Sequence, residues 1–172
     1  MATAAATATK SAGQIARESF EAIFDRRDVD AVRAIWTEDS VDHFLALGID
    51  ARGPAQLAAF FEEFLAAIPD LEATIENLVE DDHHAVVQWR MKGTFDGAPF
   101  QGIEPTGAAI EMRGCDVFRF TDDGMLDHNT VYHDGAEFAR QIGMLPKRDS
   151  AADKGMHAAF NAGQRLKRRL GR

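Results

Sequence analysis

The sequence predicts an α+β fold: helices first, an antiparallel meander of strands after them, and a short helix to close. Three observations predict it. Apolar residues recur at helical spacing as far as Ile68, the period switches to two after Pro69, and a last alternating strand runs into "DGAEFARQIG". The chain of 172 residues, 45% hydrophobic with twelve Phe, suits one domain with an ample core and room for an internal cavity.

Helices are expected at about residues 13–26, 29–38, 54–68 and 135–143. In the first, Ala16, Phe20, Ile23 and Phe24 form one stripe that "DRRD" ends. In the second, Val32, Ile35 and Trp36 face inward. The third starts at Gly53-Pro54, with proline where its missing N–H costs nothing. Leu57, Phe60, Phe61, Phe64, Leu65 and Ile68 then keep one helical face. Between the second and third, "SVDHFLALG" alternates with Val41, His43, Leu45 and Leu47 on one side. Leu71, Ala73, Ile75 and Val79 alternate with acidic and polar neighbours, and Val87, Trp89 and Met91 with Gln88, Arg90 and Lys92. A Gly- and Pro-rich loop, residues 96–107, leads to the strand "AAIEMRGCDVFRF". "TDDG" turns the chain into "MLDHNTVYHD", the last strand.

Charge bounds the function. The net charge of −9 argues against a nucleic-acid or anionic-membrane partner for the body of the protein. The tail "QRLKRRLGR" carries five basic residues, leaving 14 basic against 28 acidic elsewhere. Such a tail is expected to fold back or lie in solvent rather than bind RNA. The single Cys115 fits a reducing compartment, and with no signal-type apolar block the protein is expected to be cytoplasmic. The expected organisation is a disordered segment 1–12, a domain 13–146 and a basic extension 147–172. Cys115, inside a strand, is expected to be inert. "DDHH" reads as a solvated turn, because four adjacent residues on a tight turn cannot converge on one ion, so no metal is expected.

Asp134 has two readings. Asp134-Gly135-Ala136-Glu137 is a D-x-x-E capping box for the closing helix. It is also a carboxylate where a strand ends. His43 shares its strand face with Val41, Leu45 and Leu47, which points it toward apolar surroundings. His128, Thr130, Tyr132 and Asp134 share one parity of the last strand, Asn129 and His133 the other.

Five strings, "GPAQLAAFFEEFLAAIPDL", "VVQWRMKGTFDG", "IEPTG", "VFRFTDDGML" and "YHDGAEFARQIGMLP", resemble the SnoaL-like polyketide cyclases of the NTF2-like superfamily. Together they cover most of residues 28–146. The resemblance implies a cone: a curved antiparallel sheet wrapped around the N-terminal helices, with an internal apolar pocket. It also implies pairing through the outer face of the sheet, and a homodimer is expected there, covering Val86, Val117 and Val131. In these cyclases an aspartate near the end of a late strand is the general acid/base, and Asp134 is the matching position. Phe95 and Glu104 depart from the commoner pattern, the first removing a histidine from the expected site.

The implied function is a cofactor-independent cyclase or isomerase acting on a small hydrophobic carbonyl molecule. Asp134, His43 and His128 are the expected catalytic residues. Trp36, Phe60, Trp89, Phe118 and Tyr132 are the expected substrate-binding residues. The alternative is a non-catalytic domain that binds a small ligand or dimerises.

Overall fold

The computed structural model describes residues 10–171. Among them the elements are α1 (Ala12–Phe24), α2 (Ala31–Ile35), β1 (Trp36–Phe44), β2 (Ile49–Arg52), α3 (Gly53–Ala67), β3 (Glu72–Glu80), β4 (His84–Phe95), β5 (Ala108–Phe120), β6 (Leu126–His133), α4 (Gly135–Gln141) and α5 (Ala151–Leu170). The strands form one curved sheet in the order β2-β1-β6-β5-β4-β3, with α1 against β3 and β4 and α3 against β1 and β2. This is the expected cone, with one difference: β1 and β6 run parallel, so the sheet is mixed. Consecutive strands from β3 to β6 return antiparallel. No turn joins β1 to β6, so connectivity does not dictate their sense.

Local chemistry fixes the element ends. Ser11 Oγ accepts the Gln14 N–H and the Gln14 side chain accepts the Ser11 N–H, a capping box that opens α1. Gly53 has φ +70, and a Cβ there would stand 2.8 Å from the Glu38 carbonyl oxygen, so the β2–α3 turn requires glycine.

Several expectations are corrected. The second helix is only Ala31–Ile35, because Trp36 pairs with Leu126 across β1 and β6 and its indole bonds to Asp42. Those tertiary partners outweigh helical periodicity. In β1 the inward residues are Ser40, Asp42 and Phe44, and His43 lies on the outer face. In β6 they are Asn129, Val131 and His133, so His128 and Tyr132 face out. Val131 is therefore buried inside rather than part of an outer dimer face. A register shift between Ile75 and Asn77 packs Leu78 on the core and leaves Val79 55% exposed. Phe95 is buried in the core and does not line the cavity described below.

The expected disorder over residues 1–12 falls mostly on residues 1–9, which lie outside the described residues; Ala12 already opens α1. The basic extension forms α5, a helix of 20 residues. Among the described residues no helix is long and apolar enough to cross a membrane.

Candidate functional site

Between the helices and the inner face of the sheet lies a cavity of about 80 Å³. Its walls are aromatic, and Phe44 and Phe60 stack with ring centroids 3.9 Å apart. Of the five expected substrate-binding residues, Trp36, Phe60, Trp89 and Phe118 line it. Tyr132 faces outward and is exposed.

One end of the cavity is polar. Asp42, Asp116 and Asn129 are 1%, 9% and 3% exposed. The register of β1 on β6 sets Asp42 opposite Asn129, and β5 on β6 sets Asp116 opposite Val131. The Asn129 amide Nδ2 donates to Asp42 Oδ1 at 2.5 Å and to Asp116 Oδ1 at 2.7 Å. The second oxygen of each carboxyl accepts from an indole: Trp36 Nε1 donates to Asp42 Oδ2 at 2.9 Å, and Trp89 Nε1 to Asp116 Oδ2 at 2.5 Å. Glycine at position 114 makes room for that second indole. A Cβ there would lie 2.6 Å from Trp89 Cζ2 and 2.3 Å from the Tyr132 carbonyl oxygen.

Two carboxyls buried together cannot both ionise cheaply. Burial pushes Asp42 up to about 7, helped by the charge of Asp116 and opposed by the hydrogen bonds from Trp36 and Asn129. Burial pushes Asp116 up to about 6, opposed by Asn129 and Trp89. Asp116 is therefore the more acidic member of the pair, and it is the one that lines the cavity; Asp42 sits behind Asn129. Two polar atoms nearby are buried without a partner, Asn129 Oδ1 and His133 Nδ1. Burial lowers the pKa of His133, opposed by the Asp134 charge, and so favours the neutral ring. Asp116, Asn129 and His133 are polar groups on an otherwise apolar wall, an arrangement suited to moving a proton on a hydrophobic molecule.

The three expected catalytic residues stand elsewhere. His43 and His128 do meet, with ring centroids 4.9 Å apart, but on the outer face, where His43 Nδ1 bonds to Asp50 Oδ1 at 2.6 Å. The Asp134 side chain is 60% exposed and its Oδ1 accepts the Glu137 N–H at 2.9 Å, capping α4. Asparagine caps about as well as aspartate, so Asp134→Asn is expected to change stability by under about 0.5 kcal/mol, and Asp134→Ala to cost about 1 kcal/mol. Urea unfolding of both variants checks this; an equal loss in both would show that the charge, not the cap, matters.

Asp134 lines a neighbouring surface cleft of about 390 Å³, which shares Met112, His133 and Phe138 with the inner cavity. Among the described residues, no group of three or more His, Cys, Asp or Glu side chains is arranged to hold a metal ion. In the "DDHH" turn, the Asp81 carboxylate accepts the His83 and His84 backbone N–H groups.

Comparison with known proteins places the chain. Solved structures share the fold: a candidate SnoaL-like polyketide cyclase from Jannaschia sp. CCS1 is 22% identical with a TM-score of 0.68, over 82% of this chain and 100% of that one. An NTF2-like protein of unknown function from Burkholderia pseudomallei K96243 is 23% identical with a TM-score of 0.64, over 78% and 99%. SalBIII, an epoxide hydrolase/cyclase-like enzyme of pyran ring formation in the polyether salinomycin, is 19% identical with a TM-score of 0.60, over 73% and 92%. No curated protein matches the sequence. The family model for SnoaL-like polyketide cyclases matches residues 14–142, and the chain belongs to that family.

Proposed function

We propose that the protein is a cofactor-independent cyclase or isomerase acting on a hydrophobic carbonyl compound, with Asp116 as its base. The observation that carries this reading is a carboxyl on an apolar cavity wall, tethered by Trp89 and Asn129, with its pKa pushed up to about 6. A base works best when its pKa lies near the working pH. Asp116 takes a proton from a carbon next to a carbonyl. The resulting enolate carbon attacks a second carbonyl in the same molecule, forming the ring bond. Asp116 then returns its proton to the new alkoxide, so no other reagent is consumed. His133 Nδ1 and Asn129 Oδ1 are buried without partners, and a substrate hydroxyl or enol can satisfy either. Below about pH 7 Asp42 keeps its proton behind Asn129 and leaves Asp116 as the charged member of the pair. The aromatic walls hold the two reacting carbons together, and in well-aligned intramolecular reactions such orientation contributes about 7–11 kcal/mol of barrier lowering.

Size narrows the substrate. Ligands of multi-ring size occupy pockets of about 300–1,000 Å³. The inner cavity of about 80 Å³ takes one end of such a molecule. The adjoining cleft takes the rest, past Met112, His133 and Phe138.

The test is deuterium exchange at the α-carbon of a fused-ring β-keto ester in D₂O. Exchange above the buffer rate, rising with pH through about 6, is the expected result. Tight binding of the ester with no exchange at any pH would reject the enzyme and favour a non-catalytic ligand carrier.

A further inference from the structure

We propose that α5 is an arm that grips a second copy of this chain. Only Asp153 of its 20 residues is buried, yet Met156, Phe160, Leu166 and Leu170 are all exposed on it. At 3.6 residues per turn these four fall within about 120° of the circumference. Lys154 and Arg165 take the other side with Arg168 and Arg169 toward its flanks, and Lys167 lies inside the apolar arc, where its stem can pack and its ammonium reach out at the end. An isolated helix of this length is marginal in water, and most helices in proteins persist because an amphipathic face is packed. This one carries glycine at 155 and 163 as well.

The base of the arm is fixed. Ser150 Oγ caps it, accepting the Asp153 N–H, and the buried Asp153 carboxylate pairs with Arg140 at 3.6 Å and accepts the Asp149 N–H. Beyond that anchor, among the described residues, the side chains of α5 stand exposed except for a half-buried Gln164.

Charge selects the occupant. Residues 151–170 hold five basic residues and one acidic; the rest of the chain holds 14 basic and 27 acidic. The acidic surface present at the arm's own concentration is another copy of the protein. A matching patch exists at one end of the sheet. The β3–β4 turn brings Asp81 and Asp82 beside Asp122 and Asp123 of the β5–β6 turn, joined where the Phe120 N–H donates to the His83 carbonyl at 2.7 Å. Val79, exposed on the edge strand β3, lies next to these carboxylates and supplies the apolar contact. The Phe160 and Leu166 side chains would cover it, with Lys167 between them and Arg168 and Arg169 at the flanks of the apolar arc reaching the acidic turns.

Sedimentation of the full chain tests this. Phe160→Ala/Leu166→Ala keeps α5 helical, since alanine is the strongest helix former. It is expected to weaken self-association at least tenfold, as is Asp82→Lys/Asp122→Lys on the receiving side, and 1 M salt is expected to weaken the wild type. An unchanged association constant in either variant overturns the proposal. So does a wild type that stays monomeric at all concentrations, or one that sediments with phosphatidylserine vesicles through α5.

Discussion

Asp116→Asn is expected to lower turnover by about 10²–10⁴-fold, the usual contribution of a positioned general base. The amide matches the carboxyl in size and keeps one oxygen to accept the Trp89 indole N–H; the Asn129 amide loses one of its two acceptors, a local cost of about 1–3 kcal/mol that leaves the fold in place. It cannot take a proton from carbon. The same substitution removes a buried ionisable group whose pKa is pushed up to about 6, so stability above that pH is expected to hold or rise while turnover falls. Initial rates with any ester that exchanges deuterium, paired with a urea melt, separate the two effects. A variant that keeps more than half of wild-type turnover would remove Asp116 from the mechanism.

Between pH 4 and pH 8, Asp42→Asn is expected to gain about 2–4 kcal/mol of stability relative to the parent, one pKa unit being about 1.4 kcal/mol. Burial raises Asp42 from an ordinary 3.8 to about 7. Below pH 3.8 both folded and unfolded chains hold this proton, so the pH contributes nothing. Between 3.8 and about 7 the unfolded chain releases it while the folded chain keeps it, so stability falls as pH rises. Above about 7 the loss is complete. Asparagine does not ionise and is spared that loss, while its amide nitrogen meets one of the two N–H donors at a cost that does not vary with pH, so the variant should gain on the parent from pH 4 to pH 8. Urea unfolding at pH 4, 6 and 8 measures it. A difference that does not change with pH would mean that the Asp42 carboxyl ionises freely in the native state.

The sequence and the structure part company where polar residues sit on the inner face. Helical stripes such as Leu57, Phe64 and Leu65 were legible because their spacing reports burial directly, and the cone and the family followed from motif strings covering most of the domain. Hydrophobic alternation failed in β1, where Val41 and Leu45 suggested one face while Ser40, Asp42 and Phe44 took the other. Asp42 tolerates burial because Trp36 and Asn129 supply its hydrogen bonds from elsewhere in the fold, and spacing alone does not reveal such partners. A usable signal was present in β5. Ile110, Met112, Phe118 and Phe120 share one parity, and Asp116 is the carboxylate that interrupts it. A charge in an apolar row marks a candidate site more firmly than Asp134, whose capping box already accounts for it. In β6 the parity of Asn129 and His133 was set apart correctly from that of His128 and Tyr132, but which set faced inward depended on the register with β1 and β5.

The proposed chemistry depends on a buried carboxyl pair whose proton affinity burial moves toward the neutral range. Titration of the aspartate carboxyl carbons by ¹³C NMR reads this directly in the wild-type protein, with the two signals assigned by their loss in Asp42→Asn and Asp116→Asn. The expected result is one midpoint near 6 and another near 7. Both signals titrating at or below about 4, where free aspartates do, would contradict it.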